Sequence, residues 1–196
     1  MSTSTSTSAL VARPTPLLMP ATRADVLPAQ GGRRLHLLDL ENLLDGQVSA
    51  ARVRTLWQIY TDTFDLGPSD IVVAACAEKR AGEVLFALPP SVRVVLGHDG
   101  PDGADQALMD AIDAPHQAAR FDQVIIGSRD HAFVPMATQF VAGGCPVTLF
   151  APRRFLSAAL RMVASTRITL SLDVLPWCTP IPHGRSYEGH TVIHAS

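Results

Sequence analysis

Between residues 33 and 175 the chain alternates two hydrophobic patterns, and that alternation limits the fold more than any single motif. Leu35 to Leu40 is a short apolar run ending among acids, Ile71 to Cys76 is a second run rich in Val and Ala, and Val92 to Leu96 is a third. Val124 to Gly127 and Pro146 to Phe150 follow, and Ile168 to Leu172 reads as a sixth. Between these runs, apolar residues recur at helical spacing. The stripes are Val53, Leu56, Trp57, Tyr60 and Phe64; Ala81, Val84, Leu85 and Leu88, stopped by Pro89-Pro90; and Leu108, Ala111 and Ile112. Phe133, Met136, Ala137 and Phe140, closed by Gly143-Gly144, and Leu156, Ala159, Leu160 and Val163 complete the set. Near-continuous apolar strands separated by amphipathic helices predict an α/β fold, three layers α/β/α around a central parallel sheet. Right-handed crossovers give an expected strand order 3-2-1-4-5, with a crevice at the carboxyl ends of strands 1 and 4.

Outside this block the chain changes character. Ser and Thr alternate from Ser2 to Ser8, and Pro14, Pro16, Pro20 and Pro28 follow before Gly31-Gly32. Residues 1–32 therefore read as a disordered tail, because such a stretch buries too little apolar surface to offset its ordering entropy. It lacks the basic start and unbroken apolar stretch of a secretory signal, and its prolines interrupt the amphipathic helix of a transit peptide. Residues 176–196 are turn-rich and expected at the periphery; Cys178, His183, His190 and His194 lie there at a spacing that matches no usual zinc site.

The chain of 196 residues fits one domain, residues 33–175, and its 47% hydrophobic and 17% charged content excludes disorder throughout. No run approaches the ~18 apolar residues of a membrane span. A net charge of −2 excludes a broadly basic, nucleic-acid-coating protein but allows a local basic patch. Three widely spaced cysteines, Cys76, Cys145 and Cys178, form no disulfide framework and suit a reducing cytoplasm.

Three loops open on the expected crevice, and each carries acid. After strand 1 comes Asp39-Leu-Glu41-Asn42, after strand 3 Gly100-Pro-Asp102-Gly-Ala-Asp105, and after strand 4 Gly127-Ser-Arg129-Asp130-His131. Singly, each has a structural explanation. Asp130 would cap the helix that follows it, Asp105 would favour a first-turn dipole, and Asp39 with Asn42 would shape an Asx turn. Together they are costly. Two carboxylates ~4 Å apart repel by about 4 kcal/mol at an effective dielectric near 20. Shared protons or a divalent cation would relieve this, and oxygen ligands without nearby cysteine suit Mg²⁺ or Mn²⁺. Metal-assisted hydrolysis of a phosphoryl or phosphodiester bond is the chemistry such a site favours.

These residues resemble the NYN family, a branch of the PIN-like ribonucleases. The family's Asp-x-x-Asn after a strand is matched by Leu37-Leu-Asp39-Leu-Glu41-Asn42, and its Gly-x-Asp helix start by Gly103-Ala-Asp105-Gln-Ala-Leu108. Its Ser-Gly-Asp-Ser-Asp-Phe-x-Pro is matched by Ser128-Arg-Asp130-His-Ala-Phe133-Val-Pro135, and its late Gly-x-x-Val by Gly144-Cys-Pro-Val147. The likeness runs from Leu35 to Phe150. It implies a PIN-like fold and metal-dependent cleavage of RNA, single-stranded by expectation. Asp39, Asp105 and Asp130 would be metal ligands, and Asn42 would orient a carboxylate or a water.

Two departures bear on activity. The second acid of the family's Asp-x-Asp falls on Ala132, and Arg129 replaces a glycine. Asp102 or Glu41 would substitute for the missing charge; otherwise the chain is an inactive RNA-binding or scaffold module. Arg33-Arg34, Arg129 and Arg153-Arg154 are the candidate phosphate contacts, and Arg129 is best placed. His131 is a candidate proton donor or a solvated side chain. An acidic turn after strand 1 argues against a dinucleotide-binding protein. A haloacid-dehalogenase-type phosphatase would want a second Asp where Glu41 stands, and the only lysine, Lys79, follows strand 2. A homo-oligomer is compatible with the sequence.

Overall fold

The computed structural model describes residues 32–152, 156–170 and 193–195. Its strands are β1 (Arg34–Asp39), β2 (Ile71–Ala77), β3 (Arg93–Gly97), β4 (Gln123–Gly127), β5 (Val147–Pro152), β6 (Thr166–Leu170) and β7 (Ile193–Ala195). Its helices are α1 (Leu40–Leu43), α2 (Ala50–Thr63), α3 (Ala81–Leu85), α4 (Gly103–Asp110), α5 (Ala114–Ala118), α6 (Val134–Ala142) and α7 (Ala158–Val163). The sheet order is β3-β2-β1-β4-β5-β6-β7. The first six strands are parallel, and β7 pairs antiparallel with β6. The expected order is thus extended by β6 beside β5. The segment expected at the periphery supplies the edge strand β7. The expected tail over 1–31, and Leu172 at the end of the sixth run, lie outside the described residues.

Strand alternation explains the layers. Leu35, Leu37, Val73, Ala75, Val124, Ile126, Val147 and Leu149 point to one face and pack with α4, α5, α6 and α7 through Leu108, Ala118, Phe140 and Leu160. Leu38, Val72, Ala74, Ile125 and Phe150 point to the other and pack with α1, α2 and α3 through Leu43, Val53, Tyr60 and Val84. Tyr60 is buried in that second layer, and the half-buried Trp57 of the same stripe stacks on it with centroids 5.9 Å apart. Among the described residues no helix is long and apolar enough to cross a membrane.

Two short helices carry little periodic signal. α1 is a single turn, which its expected Asx turn becomes; α5 starts at the N-cap Asp113, with Pro115 in its first turn. α4 ends at Asp110, short of Ile112, and a 3-10 turn over His131–Phe133 precedes α6.

At the amino end of the sheet a buried polar cluster replaces apolar packing. Arg34, only 3% exposed, directs its Nη2 to Asp70 Oδ2 at 2.6 Å and its Nε to both oxygens at 3.1–3.2 Å. His36 bonds through Nδ1 to the Tyr60 hydroxyl, and its Nε2 lies 3.7 Å from Asp70. Burial alone would raise the Asp70 carboxyl. Hydrogen bonds from the Arg34 guanidinium and from the Arg34 and Gly67 amides, with His36 close by, outweigh that and hold it far below the usual carboxylate range. Burial keeps His36 below its ordinary value, so it is neutral at pH 7. Arg33-Arg34 therefore sits at the far edge from the crevice, as its position at a strand start predicts.

Candidate functional site

β1 and β4 lie side by side, Leu38 opposite Gly127, so the residues that follow them emerge together at the carboxyl edge. Asp39 ends β1 on the same face as Leu35 and Leu37, toward α4. It also caps α1, its Oδ1 accepting from the Asn42 amide at 3.1 Å. Its Oδ2 accepts from the hydroxyl of Ser128 at 3.1 Å, and it has no solvent-exposed surface.

Asp105 reaches Asp39 because the loop before α4 folds tightly back on β3. A Cβ on Gly97 would stand 1.9 Å from the Gly103 carbonyl oxygen, and one on Gly103 would stand 2.1 Å from that of His98. Backbone meets backbone there, which only glycine permits. The first turn of α4 then carries Asp105, 8% exposed, into hydrogen-bond contact with Asp39. Burial pushes the Asp39 carboxyl well above the usual range, and the facing Asp105 charge raises it further. Burial is also the main cause raising Asp105, with the charges of Asp130, Asp102 and Glu41 adding to it. Carboxyls coupled this closely titrate as a pair, so a proton they share belongs to the pair and not to either residue.

Asp130 stands beside this pair. It caps the 3-10 turn, its Oδ1 accepting from the Ala132 amide at 2.9 Å, and it lies 2.9 Å from His131 Nδ1. Its own amide donates to Ser128 Oγ at 3.2 Å, so one buried hydroxyl joins the acids of two strands. Asp39 and Asp105 are thus in direct contact, while Asp130, Asp102 and Glu41 act on Asp105 through their charge. Among the described residues no three His, Cys, Asp or Glu side chains are gathered to hold a metal ion.

Asn42 does something other than orient a carboxylate with its side chain. Its Oδ1 accepts from the Arg129 amide at 3.0 Å and ties α1 to the loop after β4. The Arg129 guanidinium pairs with Asp45, and His131 is 86% exposed on its side chain. Asn42, Asp45, Arg129, Asp130, His131 and Ser157 line a cleft of about 590 Å³. Ser128, Asp45 and Ser157 are not marked by the acidic pattern. A hydroxyl two residues before a capping acid is a usable sequence signal for Ser128; Asp45 and Ser157 reach the cleft only through the tertiary fold. Arg153-Arg154 and the Cys178, His183 and His190 side chains lie outside the described residues, as does that of His194.

The sequence matches no protein-family model, and no curated protein matches it. Among solved structures, a protein of unknown function from Vibrio parahaemolyticus RIMD 2210633 is similar in fold, with a TM-score of 0.50 and 17% identity. The match covers 75% of this chain and 98% of that one. A likeness at that identity bears on the fold alone, which in this chain is an α/β architecture of three layers around a parallel sheet.

Proposed function

We propose that the protein is a metal-dependent nuclease of the NYN type that hydrolyses phosphodiester bonds of single-stranded RNA, using Mg²⁺ or Mn²⁺ held at Asp39 and Asp105. The observation that carries this reading is the buried Asp39–Asp105 pair, held together against its own repulsion at the carboxyl edge of a parallel sheet. The donor set fits a hard cation. It is all oxygen, and Mg²⁺ is usually bound by one or two carboxylates, with water and phosphate oxygens completing the shell. The charges of Asp130, Asp102 and Glu41 act on Asp105 and would favour a cation there. Bound there, the ion would supply a deprotonated water at neutral pH and neutralise charge on the phosphoryl oxygens.

The chain's own residues prepare the site. Ser128 and the Asn42 amide each occupy one lone pair of Asp39 and fix its plane, leaving further acceptor capacity on both oxygens. The proton shared with Asp105 must leave when a cation arrives, so affinity falls at low pH. Arg129, on the cleft wall, is the residue that would meet phosphate. The buried thiols of Cys76 and Cys145, both pushed up to about 11 by burial, are unreactive, which accords with a reducing cytoplasm.

One alternative has an observation of its own: Ala132 in place of an acid favours an RNA-binding module without catalysis. A phosphatase with Asp39 as nucleophile is disfavoured, because Glu41 stands where its second Asp would and Lys79, the only lysine, follows β2. The deciding experiment incubates labelled single-stranded RNA with Mn²⁺, with and without chelator. We expect metal-dependent cleavage that drops by about two to three orders of magnitude in Asp39→Asn, the scale of losing one group that stabilises transition-state charge. Binding without cleavage by the wild-type protein would favour the module; full cleavage by Asp39→Asn would remove the acid pair from the chemistry.

A further inference from the structure

We infer that the cleft beside the acid pair binds a second phosphate of the RNA strand, next to the one being cut, and that Asp45 competes with that phosphate by occupying the Arg129 guanidinium. This rests on the nuclease reading of the acid pair and adds a subsite and an internal competitor to it.

The cleft adjoins the acid site directly. Asn42, whose amide holds Asp39, and Asp130, whose charge raises Asp105, are both in its wall. The backbone of Arg129 is fixed on both sides: its amide donates to Asn42 Oδ1 at 3.0 Å, and its carbonyl accepts from the Ser157 amide at 3.1 Å. Only its side chain can change partner. That side chain is 19% exposed, while the Asp45 carboxylate bound to it is 70% exposed. Asp45 stands on the turn after α1 in a left-handed conformation, φ 53°, and Gly46 follows at φ 73°. The guanidinium thus belongs to the cleft wall, and its anionic partner reaches in from solvent.

A pair with one partner so exposed is weak, because water competes for the carboxylate. A phosphodiester offers the same negative charge and can accept two parallel N–H bonds from the guanidinium fork. Exchange of Asp45 for phosphate therefore conserves the charge balance of the cleft and releases Asp45 to water. The remaining anion there, Asp130, already faces His131 at 2.9 Å. The ligand class is a single-stranded polynucleotide long enough to place one phosphate at the acids and another at Arg129.

The test is a double-mutant cycle on the full chain. Binding of a fluorescein-labelled single-stranded oligoribonucleotide is followed by anisotropy in chelator for wild type, Asp45→Asn, Arg129→Gln and the double variant. Asparagine tolerates the left-handed conformation, so Asp45→Asn removes charge without forcing the turn. We expect Asp45→Asn to tighten binding about threefold, in line with loss of an exposed ion pair. Arg129→Gln should weaken binding and lower the salt slope by about one. In the Arg129→Gln background, Asp45→Asn should have no effect. Equal tightening in both backgrounds would reduce Asp45 to a general surface charge, and no tightening in either would overturn the proposal. Mn²⁺-dependent cleavage of the same oligonucleotide by wild type reports on the nuclease reading separately. Its absence beside a non-additive cycle would keep the subsite and discard the catalysis.

Discussion

The two ends of the sheet bury the same kind of group and treat it in opposite ways. At the amino end Asp70 is surrounded by Arg34, His36 and backbone amides, and its carboxyl is held far below the usual range. At the carboxyl end Asp39 is fully buried, but its neighbour is another acid, and its carboxyl is pushed well above that range. One cluster is closed, every charge answered by a partner within the fold. The other gathers charge of one sign, with Asp130, Asp102 and Glu41 adding to the pair. Buried charge alone therefore does not single out a candidate site; buried charge of one sign is what makes the acid pair the candidate here.

Identical substitutions at the two ends should separate them most strongly. Asp70→Asn leaves Arg34 buried without its counter-charge and should cost about 3–5 kcal/mol in denaturant unfolding. A similar loss for Asp39→Asn would erase the distinction. The next effect in size is ligand-linked. Mn²⁺ at a hundred times its dissociation constant should stabilise the wild type by about 2.7 kcal/mol, and Asp39→Asn hardly at all. Equal shifts in melting temperature for the two proteins would place the ion elsewhere.

The smallest effect has a definite sign in pH. A carboxyl raised on folding, such as Asp39, leaves full stability below its ordinary value near 3.8, and stability is lost as pH rises toward the folded value. Without metal, Asp39→Asn should therefore match wild type at pH 3.5 and exceed it by about 1–2 kcal/mol at neutral pH. The amino end runs the other way. Asp70 contributes above about 3.8 and loses that contribution as pH falls, and neutral His36 adds to the acid loss below its ordinary 6.5. A gap between Asp39→Asn and wild type that narrowed as pH rose would invert the assignment.

Legibility in the sequence follows the same division. The strands and the acids after them are local signals, so the α/β class, the order of the first five strands and the crevice can be read from spacing. The order of β6 and β7 at the edge needs the long return of the chain and is not written locally. The Asp39–Asp105 contact is half legible: both acids fall on core-facing positions, but their meeting depends on how closely the α4 loop approaches β3. The Arg34–Asp70–His36 cluster is invisible, because Arg34 and Asp70 are 36 residues apart and neither lies in a patterned motif. Asp130 and Asp39 do act as caps, so the structural reading of each acid holds alongside whatever chemistry they share.

The crossing of Gly97 and Gly103 makes the acid centre vulnerable from a place that carries no charge. No side-chain adjustment can absorb a methyl group where two main chains touch, so Gly103→Ala would have to shift the whole first turn of α4. Asp105 would move with it, out of reach of Asp39. A change of one hydrogen for one methyl group, in a residue with nothing to ionise, would thus break the acid pair as surely as deleting a carboxylate.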